Sequence, residues 1–111
     1  MERIAPIFAV RDLATAMDFY RRIGFAVHAY HGGGYGFASW HGLEIHLGVV
    51  TEQDRRAGAA YMFVYDADSV SVQWRSAGVE VHSPQDTDWG QREGAVIDPD
   101  GNVIRFGSPI G

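Results

Sequence analysis

The sequence predicts an α+β domain made of two tandem strand–helix–three-strand modules, and three observations lead there. The chain repeats itself: "FAVRDLATAMDFYRRIGFAV" (8–27) lies over "MFVYDADSVSVQWRSAGVEV" (62–81). That alignment sets Val10 on Val64, Asp12 on Asp66, Arg21 on Arg75, Gly24 on Gly78 and Val27 on Val81, with Tyr20 on Trp74. The second parts align as well, "HGLEIHLG" (41–48) over "DGNVIRFG" (100–107), which makes His46 the counterpart of Arg105. Finally, within each half the apolar spacing runs from strand to helix and back to strand.

In the first half "IAPIFAV" (4–10) reads as a strand. Asp12 can accept the free amide hydrogens of the helix that follows. Ala16, Phe19, Tyr20 and Ile23 share one face of that helix, and Gly24 gives it a left-handed stop. The strands "FAVHAY", "YGFASW" and "LEIHLGVV" follow, the first two separated by glycines at 32–34. The polar stretch "TEQDRRAG" (51–58) links the halves, so the 111 residues divide into a module at about 1–50, a linker and a module at about 59–111. In the second half Val70, Trp74 and Ala77 form the helical stripe and Gly78 the stop. "VSV" alone would suggest a strand there, and the repeat overrules it. "DPDGN" (98–102) is a tight turn into the last strand, because Pro cannot extend a strand and Gly tolerates positive φ.

Alternation assigns faces. A two-residue turn at His41–Gly42 pairs Trp40 with Leu43, Ala38 with Ile45 and Gly36 with Leu47 on the side that packs under a helix. The other side carries Ser39 with Glu44, Phe37 with His46 and Tyr35 with Gly48. In the last hairpin Glu93, Ala95, Ile97, Val103 and Arg105 face away from the helix, opposite Ile104 and Phe106. His46 and Arg105 thus occupy equivalent places on the concave side of a curved sheet. Trp40 is expected in the core, and Tyr35 and Phe37 are candidates for ligand contact. His46 reads equally as a half-buried residue bonded to a neighbouring strand or as a direct ligand contact. Arg105 is expected to bridge to Glu44 or Glu93 while bordering the pocket.

Composition narrows the chemistry. Hydrophobic residues make up 46% and charged residues 21%, ordinary for a soluble globular domain. No apolar run approaches membrane-span length, and Met1 is followed by Glu2 and Arg3 rather than a signal peptide. Without cysteine there are no disulfides, zinc–thiolate sites or cysteine nucleophiles, and a cytoplasmic setting is favoured. The net charge of −5 disfavours nucleic acid and anionic membranes, and favours a neutral or cationic ligand. "GGGYG" lacks the Lys and spacing of a phosphate loop, no Ser-based triad can be argued from Ser39 or Ser83, and His28, His31, His41 and His82 read as edge or loop residues.

The duplicated unit, together with "VRDLATAMDFYRRIGF", "LEIHLG" and "WGQREGAVIDPDGNVIRFG", resembles the glyoxalase, bleomycin-resistance and extradiol-dioxygenase superfamily over nearly the whole chain. The resemblance implies paired βαβββ modules whose eight strands form one curved, cleft-shaped sheet with the helices outside. In the superfamily's metalloenzymes a divalent metal is held from the first and last strands of each module. Carried over, those positions are Ala5, His46, Ala59 and Arg105. Alanine has no donor atom and Arg does not give up its proton to ligate, whereas a catalytic metal needs about three protein ligands. The cation at Arg105 instead stands electrostatically where a metal would.

The chain is therefore most similar to the metal-free bleomycin-resistance branch, which sequesters drug in clefts at a dimer interface. That similarity implies a homodimer with no cofactor or metal, with amino-terminal strand exchange at Pro6, and Trp89 of "DWGQRE" as a stacking surface. The candidate ligand-contacting residues are Tyr35, Phe37, His46, Tyr61, Trp89, Glu93 and Arg105, with Trp89 and Tyr35 as walls and His46 and Arg105 as floor. Flat aromatic walls suit a flat heteroaromatic ligand such as a bleomycin-family glycopeptide. The alternative is a superfamily enzyme of lyase, isomerase or dioxygenase type. It would use an unforeseen metal site including His46 and Glu44, or Arg105 as electrophile.

Overall fold

The computed structural model describes residues 2–111 as two repeats of the same element order. The first contains β1 (Ile7–Val10), α1 (Leu13–Arg22), β2 (Ala26–Ala29), β3 (Tyr35–Trp40) and β4 (Leu43–Val49). The second contains β5 (Ala59–Phe63), α2 (Ala67–Ser76), β6 (His82–Asp86), β7 (Gln91–Ile97) and β8 (Val103–Pro109). The duplication is visible in atomic detail at the helix ends. Asp12 accepts from Thr15 N at 2.9 Å, and Asp66 from Asp68 N and Ser69 N at 3.0 and 3.3 Å, so each helix starts on the same carboxylate cap. Gly24 at φ 99° and Gly78 at φ 86° end them in the left-handed region that a side chain would strain.

Each module folds into its own four-stranded sheet, in the orders β1-β4-β3-β2 and β5-β8-β7-β6. The pairs β1–β4 and β5–β8 are parallel and the others antiparallel. The His41–Gly42 turn, with φ 48° and 83°, sets the β3–β4 register at Trp40↔Leu43, Phe37↔His46 and Tyr35↔Gly48. β1 is shorter than its apolar run suggests: Pro6 has no N–H to give, and its carbonyl accepts from His46 N at 2.9 Å just ahead of the strand.

Eight strands and two helices are as expected, but within one chain they do not make a single sheet. Among the described residues no strand ladder joins the two modules. The modules meet instead through their helix-covered sides. Phe8, Tyr20, Leu47, Trp74, Ile104 and Phe106 are all buried in one shared core. Trp40 lies against Trp74 with ring centroids 6.2 Å apart, and Asn102 Nδ2 donates to the Ala9 carbonyl at 3.0 Å. The Asp98 carboxylate is a second lock. It accepts from Tyr20 Oη at 2.8 Å, from the backbone amides of Asp100 and Asn102 at 2.8 and 2.9 Å, and from Asn102 Nδ2 at 2.9 Å. Burial, and then the neighbouring Asp98 charge, push the Tyr20 phenol far above its ordinary pKa.

A sheet packed on one side is open on the other. With both packed sides committed to a common core, the open faces of the two sheets point away from it. No helix among the described residues is long and apolar enough to cross a membrane.

Candidate functional site

β4 alternates between Ile45 and Leu47 in the core and Glu44 and His46 on the open face of module one. β3 does the same, burying Ala38 and presenting Tyr35 and Phe37. His46 is held at both ring nitrogens, with Nε2 2.6 Å from Glu44 Oε1 and Nδ1 2.8 Å from Tyr35 Oη. In the neutral imidazole, Nε2 carries the proton given to Glu44, and Nδ1 accepts from the Tyr35 hydroxyl. The hydrogen bond from His46, and next the Arg3 guanidinium at 3.3 Å, hold the Glu44 carboxyl below the usual carboxylate range. His46 is thus bonded at both ring nitrogens, and its ring stands edge-on to Phe37 at 4.9 Å.

Phe37 also stacks on His28 at 4.8 Å with an interplanar angle of 25°. His28 sits in β2, the edge strand of its sheet as expected, paired with Phe37, and adds a second imidazole to this face. Only the β2–β3 register reveals it, and the glycine link at 32–34 leaves that register open. Alternation of 26–29 against 36–39 was the available signal.

Module two presents a groove of about 660 Å³, lined among others by His82, Asp86, Glu93, Ala95, Val103 and Arg105. Arg105 turns to this face as expected, between the buried Ile104 and Phe106. It bridges to Glu93, Nη1 to Oε2 at 3.2 Å, and not to Glu44, which is already engaged by His46 and Arg3. Tyr61 stands directly opposite Arg105 in the β5–β8 ladder, and its ring tip lies over Gly107, where any Cβ would collide with Tyr61 Oη. Burial, followed by the adjacent Glu93, raises the Tyr61 pKa. Trp89 lies beside Tyr61 at the β6–β7 turn and is 66% exposed. His82 is in β6, the edge strand of the second sheet as expected, and lines the groove.

The seven candidate residues thus fall into two clusters: Tyr35, Phe37 and His46 on module one, and Tyr61, Trp89, Glu93 and Arg105 on module two. Among the described residues no hydrogen bond, ion pair or ring contact joins the clusters.

The donor set does not fit a metal of the superfamily's kind. In the parallel ladders Ile7 stands opposite His46 and Tyr61 opposite Arg105, while Ala5 and Ala59, the positions carried over from the superfamily, offer no donor atom. Ile7 has no donor atom, and the Tyr61 phenol holds its proton more tightly than usual. Among the described residues no three His, Asp or Glu side chains stand close enough to share a metal ion. What the faces offer is aromatic and imidazole surface on one module, and a carboxylate–guanidinium pair beside an exposed indole on the other.

Comparison with known proteins agrees with this architecture. A bleomycin resistance protein of Klebsiella pneumoniae is 25% identical over 124 aligned positions, covering 95% of this chain and 90% of that protein. A bleomycin-binding protein solved in complex with bleomycin superposes with a TM-score of 0.82 at 20% identity, over 99% of this chain and 100% of that one. TnmS3, an antibiotic-binding protein from Streptomyces sp. CB03234, superposes at 0.75 with 27% identity, over 98% of each chain. The family model described as the Glyoxalase/Bleomycin resistance protein/Dioxygenase superfamily matches residues 3–106, and the chain belongs to that family.

Proposed function

We propose that the protein is a metal-independent binding protein that sequesters a flat, aromatic, bleomycin-like natural product in clefts between two copies of the chain, as a resistance or self-protection device of the cytoplasm. One observation carries the reading: the two halves of the candidate site face outward from a shared core. A walled cleft then requires module one of one copy to face module two of the other. In that arrangement Tyr35, Phe37 and His46 oppose Trp89, Tyr61, Glu93 and Arg105, with Pro6 at the point where the amino-terminal segment crosses. The relatives that bind bleomycin or another antibiotic support a ligand of this kind.

The test is a titration of the protein with bleomycin, followed by tryptophan fluorescence, with elemental analysis and light scattering on the same sample. Saturable quenching is expected, from a dimer carrying less than stoichiometric zinc, iron or manganese. Trp89→Ala should weaken binding by about 2 kcal/mol, the scale of a buried aromatic anchor, with the fold intact. A monomer at micromolar concentration would defeat the shared cleft. Saturable binding unchanged in Trp89→Ala would place the site elsewhere, and about one tight metal per chain would restore the metalloenzyme reading.

One arrangement favours an enzyme instead. Tyr35, His46 and Glu44 form a hydrogen-bonded chain of the sort that moves a proton. Turnover of a bound small molecule that is lost in His46→Gln would support that second reading.

A further inference from the structure

On the open face of module one, His46 passes a hydrogen-bond polarity from Glu44 to Tyr35. Glu44 Oε1 lies 2.6 Å from His46 Nε2, and Glu44 Oε2 lies 3.3 Å from the Arg3 guanidinium. The hydrogen bond from His46, and next the charge of Arg3, hold the carboxyl below its ordinary pKa, so Glu44 only accepts. Two lone pairs cannot face each other at 2.6 Å, so Nε2 carries the proton of the neutral imidazole and Nδ1 is a bare acceptor. Tyr35 Oη stands 2.8 Å from Nδ1, and a phenol has one proton to give. That proton is spent inward, on His46.

The rings that make this chain are held from the side. Phe37 stands edge-on to both, at 5.5 Å from Tyr35 and 4.9 Å from His46. Tyr35 lies along Gly48, where a Cβ would stand 3.5 Å from its ring. Among the described residues the Tyr35 hydroxyl has no second hydrogen-bond partner, and Tyr35 and His46 are both half-buried on the open face. What the phenol turns outward is therefore a lone pair. Donating to the imidazole also makes that oxygen a better acceptor, because linked hydrogen bonds polarise one another.

We infer that Tyr35 is a specificity-determining residue that selects aromatic ligands carrying a neutral N–H or O–H donor at the ring edge, and that Glu44 is the positioning residue that sets its polarity through His46. A ligand that presents an ether, carbonyl or ring-nitrogen acceptor at the same point meets a lone pair and goes unpaired. Glu44 acts two hydrogen bonds away from the point of contact. This inference rests on the ligand-binding reading above and adds the direction of one hydrogen bond between protein and ligand.

The experiment is a nuclear magnetic resonance titration of protein with isotopically labelled histidine, at pH 8, above the ordinary histidine pKa of about 6.5. Unliganded wild type should show His46 protonated at Nε2 alone. Indole donates and does not accept, whereas quinoline accepts and does not donate. Wild type should favour indole by about fivefold, the scale of one neutral hydrogen bond, with the ratio taken against Tyr35→Phe to cancel the difference in ring size. Glu44→Gln is the sharper variant. Arg3 keeps the amide oxygen, the amide nitrogen donates to His46 Nε2, the imidazole proton moves to Nδ1, and Tyr35 donates outward. That variant should show the Nδ1 tautomer and favour quinoline. A wild-type His46 protonated at Nδ1, alone or together with Nε2, would overturn the inference before any ligand is added. Equal binding of indole and quinoline, with the shifts centred on His46, would overturn it while leaving the aromatic cleft standing. An indole preference as large in Tyr35→Phe or in Glu44→Gln as in wild type would overturn it as well. Absence of both fragments from this face in every protein would defeat the inference and, with it, module one as part of the ligand site.

Discussion

Replacing Tyr20 by Phe removes one oxygen atom from the lock between the modules and nothing else. Tyr20 is fully buried in α1, and its hydroxyl reaches across to Asp98 at 2.8 Å. The carboxylate keeps its other three donors, the amides of Asp100 and Asn102 and the Asn102 side chain. A hydrogen bond to a charged acceptor contributes about 1.5–3 kcal/mol, and the surviving donors place this one near the lower end. Phe fills the same space save the hydroxyl, so no cavity cost adds to it. The expected loss is about 1.5 kcal/mol, or roughly 6 °C in Tm for a domain of this size. Asp98→Ala should cost about 3 kcal/mol or more, since it orphans four buried donors together. Urea unfolding followed by tryptophan fluorescence at one fixed protein concentration measures both. If Tyr20→Phe cost as much as Asp98→Ala, or nothing, the four-donor account of the lock would be refuted.

The same phenol makes stability fall in alkali. The folded protein keeps the Tyr20 proton well above the value near 10 at which the unfolded chain loses it, so the contribution is complete below about pH 10 and declines as pH rises beyond it. Tyr20→Phe should flatten that decline in unfolding curves taken between pH 8 and about 11, and an unchanged slope would assign it to other groups. Gly94→Ala should destabilise by about 1–3 kcal/mol by overpacking. A Cβ there would sit 2.8 Å from the His82 carbonyl oxygen and 2.6 Å from the Phe106 ring, and the backbone oxygen cannot turn aside. Wild-type stability in that variant would show that the β6–β7 pair is looser than its geometry.

Legibility in the sequence followed the stiffness of the local constraint. The β3–β4 register is readable because His41–Gly42 admits one tight turn, which ties Phe37 to His46 and Tyr35 to Gly48. Trp74 is recognisable as helical, despite the β-branched residues beside it, because Asp66 and Gly78 repeat the cap and stop of the first helix. Parallel pairing has no such turn. That Ile7 faces His46 and Tyr61 faces Arg105 is therefore visible only in the folded chain. The glycine link leaves the partner of His28 on its edge strand unspecified, and the shift in β6–β7 register between His82 and Gln85 leaves no mark in the apolar pattern. The division into two sheets depends on contacts such as Trp40 with Trp74, thirty-four positions apart, which no local rule encodes.

Along β8 the residues that hold the fold and those that meet the outside alternate one by one: Ile104 and Phe106 inward, Val103 and Arg105 outward. β4 is written in the same way, with Ile45 and Leu47 between Glu44, His46 and Gly48. Substitutions at every second letter can therefore reshape what a face recognises while the intervening letters keep the packing. A scaffold built on this alternation can drift from one ligand chemistry to another by single outward exchanges, each neutral for folding. Arg105, outward between the buried Ile104 and Phe106, stands at one such position.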